Sequence, residues 1–365
     1  MPEERVQRLE ALVAEAELDL LIVGDLVRPG DSGPDAIANI RWLTGFTGTS
    51  GFALVGPGRR EFLTDFRYTE RAATEVAGAF ERVTLEGRLV AELAKRLAGR
   101  VGYDDAATSV QSLAKLTDAL AEGVDLVPAS GLVERLRRSK DEGEIAAIAE
   151  AARLADEVFE WIAERGLAGR TERDVARAAQ AQMRELGAEP SFPAIVAAGP
   201  NGALPHAEPS DREIGAGDLV VVDMGAKLDG YCSDGTRTFA AGEPGAEERE
   251  VYELVRGAQA TALAAVRAGV AATEADAASR EPIDAAGHAE HYGHGLGHGV
   301  GLEVHEAPRL GKKSEDVLVA GDVVTVEPGI YVPGRFGVRI EDLVAVTGDG
   351  FRNLSGTPKE LRAVG

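Results

Sequence analysis

Cysteine is nearly missing from this chain. Cys232 is the only one among 365 residues, so no intrachain disulfide can form and no cysteine-based zinc site can be assembled. Positive charge is also short. The 39 basic residues face 61 acidic ones, for a net charge of −22 at pH 7, which argues against nucleic acid or an anionic membrane as the main partner. Long apolar runs are absent from the opening stretch "MPEERVQRLEALVAEAELDLLIVG". It carries acids where a signal peptide needs bases, and "LLIV" is too short for a membrane span. The cytoplasm is therefore the expected compartment. There is no GxGxxG dinucleotide fingerprint in the glycine-rich region, and "HEAPR" lacks the second histidine of HExxH.

What is present suits a soluble globular protein: 44% hydrophobic and 27% charged residues. The length predicts two domains. Residues 1–134 alternate between strand-like and helix-like stretches. "LDLLIV" reads as a buried strand, and "SGFALVGPGRREFLTD" as a hairpin turning at Pro57-Gly58. "RLVAELAKRLAG" and "VQSLAKLTDALAEG" have helical spacing, while "RVGYDD" and "VDLVPAS" are short strands. "VRPGDSGPDA" is a turn-rich loop. This is an α/β domain. The second domain, 139–365, has α+β order. Ser139 and Glu142 fit a capping box at its first helix, and Thr171 with Asp174 fits a cap at its second.

The second domain repeats itself. "AGDLVVVDMG" at 216–225 aligns without a gap on "AGDVVTVEPG" at 320–329, so Asp223 falls on Glu327. A histidine beside proline precedes each block: His206 in "LPHAEP" and His305 in "VHEAP". Each block continues into a hairpin. In the first, a loop at Leu228-Asp229 would set Asp223 opposite Asp234, with Cβ atoms about 5 Å apart. A loop at Asp229-Gly230 would make them diagonal neighbours on one face. In the second, Glu327 and Glu341 are symmetric about Gly334. Duplication brings both pairs to one place. Four crowded carboxylates must take up protons or bind cations.

Five of the six histidines lie between His288 and His305, threaded with glycine. Glycine at every second or third position forbids a helix there, and in an extended chain His294 and His298 share a face. A flexible metal-scavenging loop is one reading of the tract. One imidazole with four carboxylates instead balances two divalent ions, about 3.5–4 Å apart with a water between them. Such an oxygen-dominated set with one histidine fits Mn²⁺, Co²⁺, Fe²⁺ or Zn²⁺ and does not select among them.

The set "VVVDMGAKLDGYCSDGTRTF", "GHGLGHGVGLEVHEAP", "VVTVEPGIY" and "GVRIEDLVAV" resembles the pita-bread dinuclear metallopeptidases, which include aminopeptidase P, prolidase and methionine aminopeptidase. The resemblance implies an α+β pita-bread catalytic domain with a pseudo-twofold duplication. It implies metal ligands at Asp223, Asp234, His298, Glu327 and Glu341, with Glu327 as proton shuttle. His206 and His305 match histidines flanking the substrate, His294 matches a histidine of the surrounding shell, and Arg339 matches an arginine beside the site. "NIRWLTGFTGTSGFALVG" and "EFLTDFRYTERA" resemble the N-terminal domain of prolidases and aminopeptidases P. Trp42 stands where tyrosine is more usual, a departure assigned to the rim of the site. The implied substrate is a peptide with proline second, cleaved at the Xaa-Pro bond by a metal-bridging hydroxide, and the implied assembly is a homodimer. An Xaa-Pro aminopeptidase is the first reading and a prolidase, limited to dipeptides, the second. A non-catalytic binding module and a metal-independent amidinohydrolase are disfavoured by the complete ligand set.

Overall fold

The computed structural model describes residues 2–24 and 37–365, so the predicted loop at 27–36 lies outside the described residues. The chain divides into two compact units, Met1–Arg137 and Arg138–Gly365. The first contains β1 (Leu20–Val23), β2 (Phe52–Gly56), β3 (Arg59–Asp65), β4 (Glu81–Leu85), β5 (Arg100–Tyr103) and β6 (Asp125–Pro128). They form one mixed sheet in the order β4-β3-β2-β1-β5-β6. Pro57-Gly58 turns the β2–β3 hairpin as expected. Around the sheet run α1 (Pro2–Glu15), α2 (Ala38–Thr44), α3 (Thr69–Glu75), α4 (Leu89–Ala94), α5 (Val110–Ala119) and α6 (Leu132–Arg137). Leu20, Ile22, Leu54 and Leu63 from the strands meet Leu93 and Leu116 from α4 and α5 in the core. Trp42 corrects an expectation. It is buried within this unit, with the Arg5 guanidinium 4.7 Å from its ring, so it is a packing residue.

The second unit opens with α7 (Glu142–Arg165) and α8 (Glu172–Glu185). The cap of α7 differs from the sequence reading. Asp141 is the N-cap, and it shares a capping box with Glu144. Two such patterns overlap here, and Ser139 is diverted: its hydroxyl donates to the Ala320 carbonyl. Thr171 caps α8 through the Asp174 amide, as expected. Then follow β7 (Glu189–Pro190), β8 (Ile195–Ala198), β9 (Leu219–Asp223), β10 (Ala226–Leu228), β11 (Tyr231–Cys232) and β12 (Thr236–Ala240). The second half repeats the plan with α9 (Ala246–Ala265), α10 (Ala272–Ala285), β13 (Gly297–Gly299), β14 (Glu306–Leu310), β15 (Val323–Val326), β16 (Gly329–Val332), β17 (Phe336–Arg339), β18 (Asp342–Val346) and β19 (Phe351–Asn353).

The duplication extends to single backbone hydrogen bonds. Gly169 N donates to Ile214 O, and Gly269 N to Leu318 O. Glu172 N donates to Arg212 O, and Ala272 N to Asp316 O. The acceptors in each pair keep the offset that aligns the two "AGD" blocks. Helices α7 and α8 cover the sheet β12-β9-β8, with Val158, Phe159 and Val175 against Val220 and Val222. Helices α9 and α10 cover the sheet β14-β13-β15-β18-β19, with Leu263 and Ala275 against Val324 and Val344. Each buried valine or leucine of these faces contributes roughly 1.5–3 kcal/mol relative to exposure.

Each half also carries a β-ribbon that leaves one sheet for another. β9 pairs with β12, and β10 with β11 in the same register, around a turn at Asp229-Gly230. Asp229 has φ 45° and Gly230 φ 81°, the left-handed pair a tight hairpin turn needs. Of the two loops left open by the sequence, this is the one that makes Asp223 and Asp234 diagonal. In the second ribbon, Val326 pairs with Asp342 and Gly329 with Arg339. Glu327 and Glu341 therefore face each other between two ladders of one register.

Candidate metal centre

The acids converge where the ribbons break. Asp223 ends β9, and Asp234 lies between β11 and β12. Glu327 follows β15, and Glu341 precedes β18. Asp223, Asp234 and Glu341 each place a carboxylate oxygen within 4.8 Å of the others. His298 arrives on β13. Its Nε2 is 3.5 Å from Asp234 Oδ2 and 3.4 Å from Glu327 Oε1. Gly297 permits this approach, because a Cβ there would overlap the Thr325 carbonyl.

Neighbouring hydroxyls and one arginine fix the acids. Thr236 Oγ1 donates to Glu341 Oε2 at 2.7 Å. Thr325 Oγ1 donates to Glu327 Oε1 at 3.0 Å and accepts from His298 N at 3.0 Å. Arg339 Nη2 lies 2.6 Å from Asp223 Oδ2, and its Nη1 is 2.7 Å from the Tyr331 hydroxyl. Tyr331 in turn meets His294 Nε2 at 2.9 Å.

The charges in this cluster are unbalanced. Two carboxylate charges within 4.8 Å of each other repel by roughly 3.5 kcal/mol or more at an effective dielectric near 20. Burial and the Asp223 and Glu327 charges hold Asp234 well above the usual carboxylate range. Burial and the Asp234, Glu327 and Asp223 charges do the same to Glu341. Burial pushes Glu327 up to about 7, with Arg339 pulling the other way. Burial drops His298 to about 3, helped by His305 beside it. The ring is thus neutral, and with Nδ1 donating to Gly299 O at 3.1 Å its Nε2 lone pair faces the acids. His294 is lowered to about 4, chiefly by burial and then by Arg339.

Asp223 Oδ1 and Glu341 Oε1 are buried with no hydrogen-bond partner among the described residues. Buried carboxylate oxygens without donors are costly, and a cation satisfies both. Four carboxylates and one neutral imidazole are donors suited to divalent metal ions, so the residues fit such a group.

Every candidate residue named from the sequence lines one cleft of about 690 Å³: Asp223, Asp234, His298, Glu327, Glu341, His206, His294, His305 and Arg339. His288 and His291 are not in its lining and pair with each other, Nδ1 to Nδ1 at 3.1 Å. Sequence reasoning missed Tyr331, Thr236 and Thr325. Strand parity could have found Tyr331, which lies four residues beyond Glu327 on the same alternation. It also missed Arg309, Lys312 and Lys313, which line the cleft on β14 and the loop after it.

An acid cluster with one neutral imidazole, set at the seam of a duplicated pita-bread domain, defines a hydrolytic metallopeptidase. Residues 146–348 match Metallopeptidase family M24, and residues 5–139 match the Creatinase/Prolidase N-terminal domain. The chain belongs to metallopeptidase family M24. It is 44% identical to the Xaa-Pro dipeptidase of Pyrococcus furiosus over 231 residues, 63% of this chain and 66% of that protein. The solved Xaa-Pro dipeptidase from Bacillus anthracis superposes with a TM-score of 0.93 at 39% identity, covering 100% of both chains. The X-Pro aminopeptidase from Thermotoga maritima gives 0.89 at 33% identity, covering 98% of this chain and 100% of that one. No helix among the described residues is long and apolar enough to cross a membrane.

Proposed function

We propose that this chain is an Xaa-Pro dipeptidase. The sequence reading placed the aminopeptidase first, and the dipeptidase alternative is better supported. The observation that carries it is the cationic wall of Arg309, Lys312 and Lys313 in the cleft, in a chain whose net charge is −22. A dipeptide ends at its proline, so a free carboxylate lies one residue from the scissile bond. A longer peptide has a neutral amide there. Over the whole chain, the solved Xaa-Pro dipeptidase from Bacillus anthracis shares 39% identity and the solved X-Pro aminopeptidase from Thermotoga maritima 33%.

Asp223, Asp234, His298, Glu327 and Glu341 would hold two divalent ions, Mn²⁺ first among Mn²⁺, Co²⁺, Zn²⁺ and Fe²⁺. When bound, such ions polarise the Xaa carbonyl and lower the pKa of a water toward about 7. The protein's own groups do the rest. Glu327, oriented by Thr325, takes the water proton and passes it to the leaving proline nitrogen. His206 and His305 line the cleft and steady charge developing on the carbonyl oxygen. Arg339 pairs with Asp223 and, through Tyr331, orients His294. The Xaa-Pro bond is a tertiary amide without N–H, and nothing in this scheme needs that hydrogen. The same proposal includes a homodimer, to be checked by light scattering.

The test compares Xaa-Pro, Xaa-Pro-amide and Xaa-Pro-Yaa peptides on Mn²⁺-reconstituted enzyme, with a chelated control. The dipeptide should be preferred, and Arg309→Ala should raise its KM. Equal cleavage of Xaa-Pro-Yaa would return the assignment to the aminopeptidase.

A further inference from the structure

We propose that Asp276 and Arg280 of α10 are positioning residues that hold the glycine-interrupted histidine segment, and through it Glu327, in working geometry. The segment Tyr292–Gly299 has glycine at every second position. Such a chain has little intrinsic preference for one path, yet it must deliver His294 and His298 to fixed points. The path is set from outside.

Arg280 Nη1 donates to Tyr292 O at 3.0 Å and Nη2 to His294 O at 2.7 Å. Its guanidinium carbon lies 4.0 Å from the centre of the Tyr292 ring. Asp276 grips Arg280 in a two-point pair, Nε to Oδ2 at 2.9 Å and Nη2 to Oδ1 at 2.7 Å, the geometry in which Arg–carboxylate pairs are most directional. Asp276 Oδ1 also accepts from Leu296 N at 2.9 Å. The carbonyl of the same residue, Leu296, then accepts from Glu327 N at 2.9 Å. One buried ion pair thereby fixes three consecutive points of the segment, 292, 294 and 296. The third of them carries the backbone of the acid assigned the proton transfer.

The first half of the duplication contains a counterpart. Glu172 on α8 is fully buried. It accepts from Ala198 N, Asn201 Nδ2 and Ser210 N at 2.8–3.0 Å, and so clasps both ends of the segment carrying His206. In both halves the second helix secures the histidine segment of its own half with a buried acid. The helices match while the acids stand at different turns, so the clasp is a shared solution and not a copied residue.

The role of Glu327 in this inference rests on the proposed function, whereas the clasp itself does not, and the experiment separates the two. Arg280→Lys keeps the charge and loses the fork, and Asp276→Asn keeps the shape and loses the charge. In the chelated full-length protein, hydrogen exchange of the 292–298 and Glu327 amides should accelerate about tenfold or more, with protection in α9 and in β9–β12 unchanged. In the Mn²⁺-loaded enzyme, kcat should fall by about tenfold or more, the scale of losses when groups orienting a metal site are removed, with KM within about twofold. Unchanged exchange at 292–298, acceleration spread over the whole unit, or a raised KM with kcat intact would each overturn the positioning role. A wild-type protein that cleaves no Xaa-Pro peptide would remove the proposed function, and the exchange result alone would then decide the clasp.

Discussion

Removing metal should make this protein less stable as pH rises through neutrality. The carboxyl of Glu327 is lifted from an ordinary 4.5 to about 7 by burial, and Asp234 and Glu341 are raised with it. A raised carboxyl keeps its proton in the folded state at pH values where the unfolded chain has lost it. Between pH 4.5 and 7 the folded state therefore binds more protons, and stability falls with rising pH. For Glu327 alone the interval corresponds to about 3 kcal/mol, reached in full above pH 7. In a unit of this size that is roughly 6–12 °C in Tm. Divalent ions displace these protons, so their stabilisation should grow over the same window. The assay is Tm by calorimetry from pH 5.5 to 8.5, chelated and with excess Mn²⁺. A chelated Tm that is flat or rises across the window, or an Mn²⁺ increment no larger at pH 8 than at 5.5, would refute the crowded-acid reasoning.

Three further outcomes are expected. Glu327→Gln should lower kcat by about a thousandfold, since it removes the proposed proton carrier and a proposed metal ligand together, while chelated protein at pH 8 melts no lower than wild type; turnover near wild type would remove Glu327 from the proton path. Thr236→Val leaves Glu341 Oε2 without its hydroxyl donor and should weaken Mn²⁺ binding by about 10–100-fold in calorimetric titration. Gly297→Ala forces a methyl into the Thr325 carbonyl and should lower Tm and metal content together, with a cost of about 1–3 kcal/mol typical of overpacking.

Much of the centre was legible because it is written in register. Symmetry about Gly334 placed Glu327 opposite Glu341 with no knowledge of the fold, because one register runs through both ladders of that ribbon. The first ribbon was ambiguous by one residue, since Leu228-Asp229 and Asp229-Gly230 both satisfy parity. The positive φ of Asp229 and Gly230 decided it, a preference Asp-Gly already carries. Ser139 was misread because competition for its hydroxyl comes from Ala320, far along the chain. Thr236 escaped for the same kind of reason. It acts on Glu341, which only tertiary structure brings near, and a hydroxyl in isolation carries no spacing that reveals it.

The place where each ribbon changes sheets has a consequence for how the sequence can drift. Each half of the repeat supplies two of the four acids, and the Glu341 amide donates to the Thr236 carbonyl of the other half at 3.1 Å. Neither half can adjust its own charge or tilt in isolation. A cut in the Gly242–Gly245 link should yield fragments that are each mismatched in charge alone, and that reassemble most readily when divalent cation is supplied.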